Sequence, residues 1–496
     1  MLAVLWIGCT VTAPDGSTTD PQVPTDPDTG SATSPLPTTD TGPVDPGSPF
    51  ASIRAEPLAL YGSVIRVVWS QRSDADVFIE YSFEADSWLS SPVRSLTEGT
   101  HEELLLGVPY GQTVTYRLIA GTDVASMDRT IDTDPLPSIV PTAGVLANQV
   151  ASTDSDVPYF LVGISEDGSL RRTWITLIDR QARVLWAHRT PSRRNSMHPR
   201  LSRDGNSFLI DHSSYFADLP SQGADSQVLE MKIDGSVVQE WDTPGQHHPY
   251  TDLPDGSLAY ARYVFSGLRD DRIEIISPKG EVRTLFSCRD FLEESGLPAF
   301  DCGANTMNYD ESRDVFLFSM FTLDTVFEVN GTTGDLERVF GALSRPEYAS
   351  ITGLDAWSFD PPESAFDYQH NPTFTAAGTL LLSTHVDEYS EELVAREYTL
   401  ASATQTLQQI WSFGEGEGVD GCQMGEAHRL PSGNTLHNYG THAVLREVTD
   451  SGQVVWDVRW ESEEHSCFGG PTTPGHQVLR SNPVGPDLYR FAPERP

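Results

Sequence analysis

The chain has 496 residues, 38% of them hydrophobic and 21% charged, which is enough apolar material for a sizeable core and more length than one ordinary domain uses. Acidic residues outnumber basic ones 71 to 32, a formal charge of -39. That balance excludes nucleic acid as a partner, because phosphate binding draws on clustered cations, and equally excludes adsorption on anionic lipid.

Met1 to Gly8 is apolar and ends at Cys9. Leu5-Trp6-Ile7-Gly8-Cys9 resembles a bacterial lipobox, so cleavage after Gly8 and attachment of lipid to the Cys9 sulfur are expected. Thr10 to Phe50 follows with nine prolines, six aspartates and no lysine or arginine. Such a stretch cannot bury enough apolar surface to offset its ordering entropy, and proline keeps it extended, so residues 10–50 read as a disordered tether. A tether behind a lipidated cysteine suits a protein held off a membrane of the bacterial cell envelope, periplasmic or on the outer-membrane surface. No apolar run reaches ~18 residues, so no helix of the sequence spans a membrane. The other four cysteines, Cys288, Cys302, Cys422 and Cys467, are an even number in an exported chain and read as two disulfides. Of the three pairings, Cys288–Cys302 with Cys422–Cys467 is expected because each closes a local loop. No C-x-x-C spacing points to zinc.

Residues 51–140 alternate with period two, as in Val64-Ile65-Arg66-Val67-Val68-Trp69, and are punctuated by turns. Leu106 to Tyr116 resembles the E–F corner of a fibronectin-III-like β-sandwich, with Tyr116 as the corner tyrosine.

From 141 to 496 the chain repeats. One unit is an alternating strand, a turn and a second strand ending in an aromatic: 175–186, 229–241, 273–286, 326–340, 397–411 and 445–460. A second unit alternates with it: a polar entry residue, a turn and an apolar strand, at 198–210, 248–260, 305–318, 370–382 and 428–437, with a degenerate copy from His476. Four short strands per unit and six units predict an all-β, six-bladed β-propeller behind the sandwich. Leu343 to Phe366 reads as an insertion between blades or a lid. Trp241, Trp411, Trp456 and Trp460, at strand ends, read as blade packing.

The segments HHPYTDLPDGSL (247–258), QHNPTFTAAGTLLL (369–382) and GEAHRLPSGNTLHNYG (425–440) resemble the arylsulfotransferase (aryl-sulfate sulfotransferase) family. That resemblance implies an exported propeller that moves a sulfuryl group from a phenolic sulfate donor to a phenol acceptor through a sulfohistidine, with no cofactor and no nucleotide sulfate. It implies His370 as nucleophile, with His248 and Asn305 holding sulfate oxygens. Two positions depart from the family pattern: Gly303 stands where it has a histidine and Phe321 where it has an arginine.

The chemistry asks for an in-line nucleophile and for donors facing the equatorial oxygens. A neutral imidazole is a suitable nucleophile near pH 7. Histidine is only 13 of 496 residues, yet His198, His248, His370 and His428 all fall at blade entries, where a propeller would gather them round one channel. His198 and His428 are candidates for proton transfer. His385, His437, His442 and His465 read as loop residues. Arg200, Arg262, Arg396 and Arg429 lie near blade entries and could supply the missing cation. A zinc or copper reading of the histidines ranks below these, because no carboxylate is fixed beside them by spacing. Gly303 and Phe321 favour an alternative: a catalytically impaired propeller serving as a binding or scaffold module.

Overall fold

The computed structural model describes residues 47–494 apart from 86, 125, 167–169, 217–222, 266, 388–389, 422 and 462–474. Cys9, nearly all of the tether, His465 and the Cys422–Cys467 pair lie outside the described residues.

The first described domain is a sandwich. Phe50–Pro57, Ile65–Gln71 and Gly99–Leu105 form one antiparallel sheet. The other is built on Ala75–Glu84 paired with Thr113–Ala120. Alternation sets the inner face: Ile65, Val67 and Trp69 are buried while Arg66, Val68 and Ser70 between them are not. Tyr116 is fully buried in this core, and the Tyr81 hydroxyl donates to the Leu106 carbonyl at 2.8 Å.

Six sheets of four strands or more follow, each a blade with four antiparallel strands. Blade 2 is Arg200–Leu201, Phe208–His212, Gln227–Met231 and Val237–Asp242. Blade 3 is Gln246–Asp252, Leu258–Phe265, Arg269–Ile276 and Val282–Ser287. Blade 4 is Ala304–Asp310, Val315–Met320, Thr325–Asn330 and Leu336–Gly341. Blade 5 is His370–Phe374, Leu380–His385, Leu393–Ala401 and Thr406–Phe413, and blade 6 is Glu426–Arg429, Thr435–Asn438, Val444–Val448 and Val454–Trp460. Blade 1 takes Tyr159–Ser165, Thr173–Asp179 and Val184–Arg189 from the start of the repeat region and its inner strand, Val478–Val484, from the C-terminal end. This late strand is the degenerate sixth copy, and its pairing closes the ring. A second closure comes from Ala143–Asn148, which adds to the outer edge of blade 6.

The blades stack through apolar faces. Trp456 and Trp460 are fully buried between blades 6 and 1, where Trp456 stacks on Phe160 at 4.5 Å between ring centroids. Each large apolar side chain removed from water contributes about 1.5–3 kcal/mol. The sandwich docks on blades 1 and 2 through Tyr61, which stacks on Trp186 and bonds His188 Nδ1 at 3.0 Å. Tyr61 fits because the blade 2 turn carries Gly235 at φ 89°, where a Cβ would come within 2.6 Å of the tyrosine ring.

Of the two readings of residues 343–366, the insertion between blades holds and the lid does not: between blades 4 and 5 the segment forms the helix Pro346–Thr352 and the strand Ser358–Asp360, which pairs parallel to Thr406–Phe413 on the outer edge of blade 5. Trp357 and Phe366 pin it there against Phe340 and Tyr398. His385 and His437 are not loop residues. They end and occupy inner-sheet strands, at 5% and 0% exposure, and His437 Nε2 bonds the Ser383 hydroxyl across the blade 5–6 joint at 3.0 Å.

Candidate functional site

The inner strands tie to one another through side chains. Asn482 Nδ2 donates to the Pro199 carbonyl at 2.8 Å, and Arg200 Nη1 to the Tyr250 carbonyl at 2.8 Å, linking blades 1, 2 and 3. Asn305 Nδ2 donates to the Gln369 carbonyl at 2.7 Å, and Asn308 Nδ2 to Asn371 Oδ1 at 2.9 Å, linking blades 4 and 5. Arg480, on the closing strand, donates to Asn371 Oδ1 at 3.0 Å and forms a buried ion pair with Glu426, so blades 1, 5 and 6 meet on one guanidinium. Asn371 reaches this spot from a left-handed backbone, φ 52°, a conformation asparagine tolerates better than most residues.

Four entry histidines surround this axis. His198 and His248 lie edge to face with ring centroids 6.2 Å apart, and His198 Nε2 donates to the Asn305 carbonyl at 3.2 Å, from blade 2 to blade 4. His370 is close enough to depress the protonation of both. His428 Nε2 lies 3.7 Å from Glu426 Oε2. Burial lowers the pKa of His370 to about 4, and burial, then Arg269 and His370, hold that of His248 well below the ordinary imidazole value. His198 is lowered likewise, first by burial and then by Arg480. All three are therefore neutral at pH 7.

Hydrogen-bond partners fix which nitrogen carries the proton. His370 Nδ1 lies 3.0 Å from the Tyr368 carbonyl, which can only accept, so Nδ1 is protonated and Nε2 holds the lone pair. His248 Nδ1 lies 2.7 Å from His247 Nδ1, and Arg269 Nη2 lies 2.7 Å from His247 Nδ1 and 3.0 Å from His247 Nε2, so the three groups form one buried cluster into which the guanidinium donates. A neutral His248 keeps one ring nitrogen with a lone pair. Asn305, by contrast, spends one amide hydrogen on the Gln369 carbonyl and accepts from Thr306 Oγ1 at 3.3 Å, which places it as a brace between blades 4 and 5.

Of the candidate arginines, only Arg200 is at the axis. Its pKa is lowered, first by burial and then by the neighbouring Arg480. Arg262 leans toward Glu274 at 3.9 Å, Arg396 is spent on the Ala365 and Val386 carbonyls, and Arg429 pairs with Glu397. The sequence reading missed Arg480, Glu426 and Arg269. Burial raises and Arg480 lowers the Glu426 pKa, and the net effect is a carboxylate held below its ordinary value. His476 bonds the Ser165 carbonyl at 3.0 Å, at the base of the closing strand. Among the described residues, no three histidine, cysteine or acidic side chains are placed to hold one metal ion.

The disulfide Cys288–Cys302 is present, joining the start of the helix Cys288–Ser295 to the segment that enters blade 4. Cys302 is fully buried, its N–H donates to the Arg269 carbonyl at 3.1 Å, and its carbonyl accepts from Asp271 N at 3.0 Å. The bridge therefore fixes the approach of blade 3 to blade 4 beside His247.

The chain matches no protein-family model and no curated protein. Among solved structures it is similar to a Bacteroides caccae protein of unknown function, at 15% identity over 61% of this chain and 93% of that one, TM-score 0.39. It is also similar to virginiamycin B lyase from Staphylococcus aureus, at 11% identity over 65% and 89%, TM-score 0.33. A third is a putative 6-phosphogluconolactonase from Bacteroides fragilis, at 11% identity over 78% and 95%, TM-score 0.34.

Proposed function

We propose that the channel transfers a sulfuryl group from an aryl sulfate ester to a phenol through a sulfohistidine on His370, in a protein held by lipid at Cys9 in the bacterial cell envelope. The observation that carries this reading is the neutral His370 ring: its Nδ1 hydrogen is committed to the Tyr368 carbonyl, so Nε2 is a nucleophile beside two more imidazoles.

In the first step the Nε2 lone pair attacks sulfur, an N–S bond forms, the S–O bond to the aryl group breaks, and the phenolate leaves with the electron pair. In the second, the acceptor phenol gives its proton to the neutral His248 ring and the phenol oxygen attacks sulfur, and His248 afterwards releases that proton to solvent. The N–S bond then breaks and returns the electron pair to His370. Proton transfer of this kind contributes about 10²–10⁴-fold to rate. Neighbouring cations stabilise the charge on the equatorial oxygens in both steps. Asn305 positions His370 by holding the Gln369 carbonyl.

Incubation with 4-nitrophenyl sulfate and phenol tests the proposal. Nitrophenol release that depends on both substrates with ping-pong kinetics, and disappears in His370→Ala, is expected. No turnover and no sulfated protein from folded enzyme would refute it. Gly303 and Phe321 favour a second reading, a channel that binds a sulfated ligand without transferring it. Saturable binding without turnover would select that one.

A further inference from the structure

The geometry points to Arg269 as the cation that grips the ligand's anionic oxygens, with Gly303 and Phe321 as the two residues that make its position possible. The inference deepens the reading above and rests on it only for the identity of the ligand, a sulfate ester. Arg269 opens the third strand of blade 3, in the run Arg269-Asp270-Asp271-Arg272. Asp270 is taken up by Arg272 at 2.6 Å and by the N-cap Ser287 at 3.1 Å. Asp271 is fully buried and receives Arg269 Nη2 at 2.7 Å, Arg269 Nε at 3.1 Å and Ala304 N at 2.6 Å. One edge of the guanidinium is thereby fixed, and Nη2 also reaches His247. Nη1 has no partner among the described residues, in a side chain 18% exposed. A planar cation with one end anchored and the other open, next to a histidine at the channel, is what an oxyanion-binding group requires.

The neighbours show why the guanidinium can lie there. Its Cζ is 5.5 Å from the centroid of Phe321 and 5.5 Å from that of Tyr263, so it is held between two ring faces. A Cβ on residue 303 would fall 3.1 Å from that Cζ, 3.0 Å from the Phe321 ring and 2.7 Å from Thr322 Cγ2. A side chain at 303 would crowd the guanidinium and force Thr322, Phe321 or Arg269 to shift. Gly303 and Phe321 are thus the two residues that make room for a guanidinium from the adjacent blade. The disulfide fixes Cys302, one residue before Gly303, against the Arg269 backbone.

Calorimetric titration with phenyl sulfate and with inorganic sulfate at constant ionic strength tests this. Wild-type protein is expected to bind phenyl sulfate. Arg269→Gln should weaken it about tenfold or more, since a charge-assisted bond is lost. Arg269→Lys should recover part of the affinity. Gly303→Ala should also weaken binding, although no atom of residue 303 touches ligand. That variant, with Phe321→Leu, keeps the test open if Arg269→Gln does not fold. Folded Arg269→Gln with wild-type affinity would overturn the inference, as would a wild type that binds neither probe. Sulfuryl transfer that persists at full rate in Arg269→Gln overturns it while sparing the transfer mechanism. Arg269-dependent binding without turnover upholds it while the transfer mechanism fails.

Discussion

Replacing Glu426 by alanine should cost far more than removal of an ordinary buried side chain. Glu426 is 2% exposed, and its Oε2 accepts Ser481 N at 2.7 Å, Ser481 Oγ at 3.2 Å and Asn438 Nδ2 at 3.3 Å, while Oε1 faces Arg480, itself 3% exposed. The substitution removes the acceptor of the Ser481 N–H and the counter-charge of the buried Arg480 guanidinium, which keeps only Asn371 Oδ1. Breaking one partner of a buried pair costs about 3–5 kcal/mol. The double variant Glu426→Leu with Arg480→Met removes both charges, and such replacements are often neutral, so it should recover most of that loss. Urea unfolding followed by tryptophan fluorescence reads the difference directly. A loss below about 1 kcal/mol for Glu426→Ala, or a double variant no better than the sum of the singles, would refute the claim that this pair clasps the ring where its two chain ends meet.

Three further outcomes follow from the same geometry. Reducing Cys288–Cys302, which are 14 positions apart, should cost about 3 kcal/mol and lower the urea midpoint, and an unchanged midpoint would contradict the account. Gly341→Ala should destabilise by about 1–3 kcal/mol, because its φ is 110° and a Cβ would lie 2.0 Å from the Asp324 carbonyl oxygen; a stability within about 0.5 kcal/mol of wild type would count against it. Acid should destabilise: His188 and His437 are pushed down to about 3 and His212 and His370 to about 4, all by burial, so below the ordinary value of 6.5 the unfolded chain takes up protons that the folded one refuses. Each such imidazole removes about 1.4 kcal/mol per pH unit in that window. Asp211 and Asp271, pushed up to about 6 by burial, act in the opposite sense below that pH but are outnumbered. A urea midpoint that is flat or rises between pH 7 and 5 would contradict this balance.

The sequence carries the propeller in its punctuation. Each outer hairpin pairs alternating strands across a turn, and the copies at 175–186 through 445–460 all fold as such hairpins. The entry histidines are legible for the same reason, since their spacing follows the repeat. What the repeat cannot convey is which side chains from different blades meet. Arg480 sits on a strand whose copy is degenerate, and its partners Asn371 and Glu426 are 109 and, by the same numbering, some fifty residues away. Arg269 stands in the run Arg269-Asp270-Asp271-Arg272, away from the blade-entry positions that the repeat marks, and its bonds to buried Asp271 and to His247 turn it inward. His437 looks like the end of a turn motif, yet the short strand Thr435–Asn438 carries it into the blade 5–6 joint.

The most direct measurement is rapid acid-free quenching of the protein with 4-nitrophenyl sulfate in the absence of acceptor, followed by proteolysis and mass spectrometry of the peptide containing His370. One sulfuryl group on His370, discharged on adding phenol, is the predicted result. An unmodified His370 in protein that releases nitrophenol, or the group found on another residue, would contradict the account.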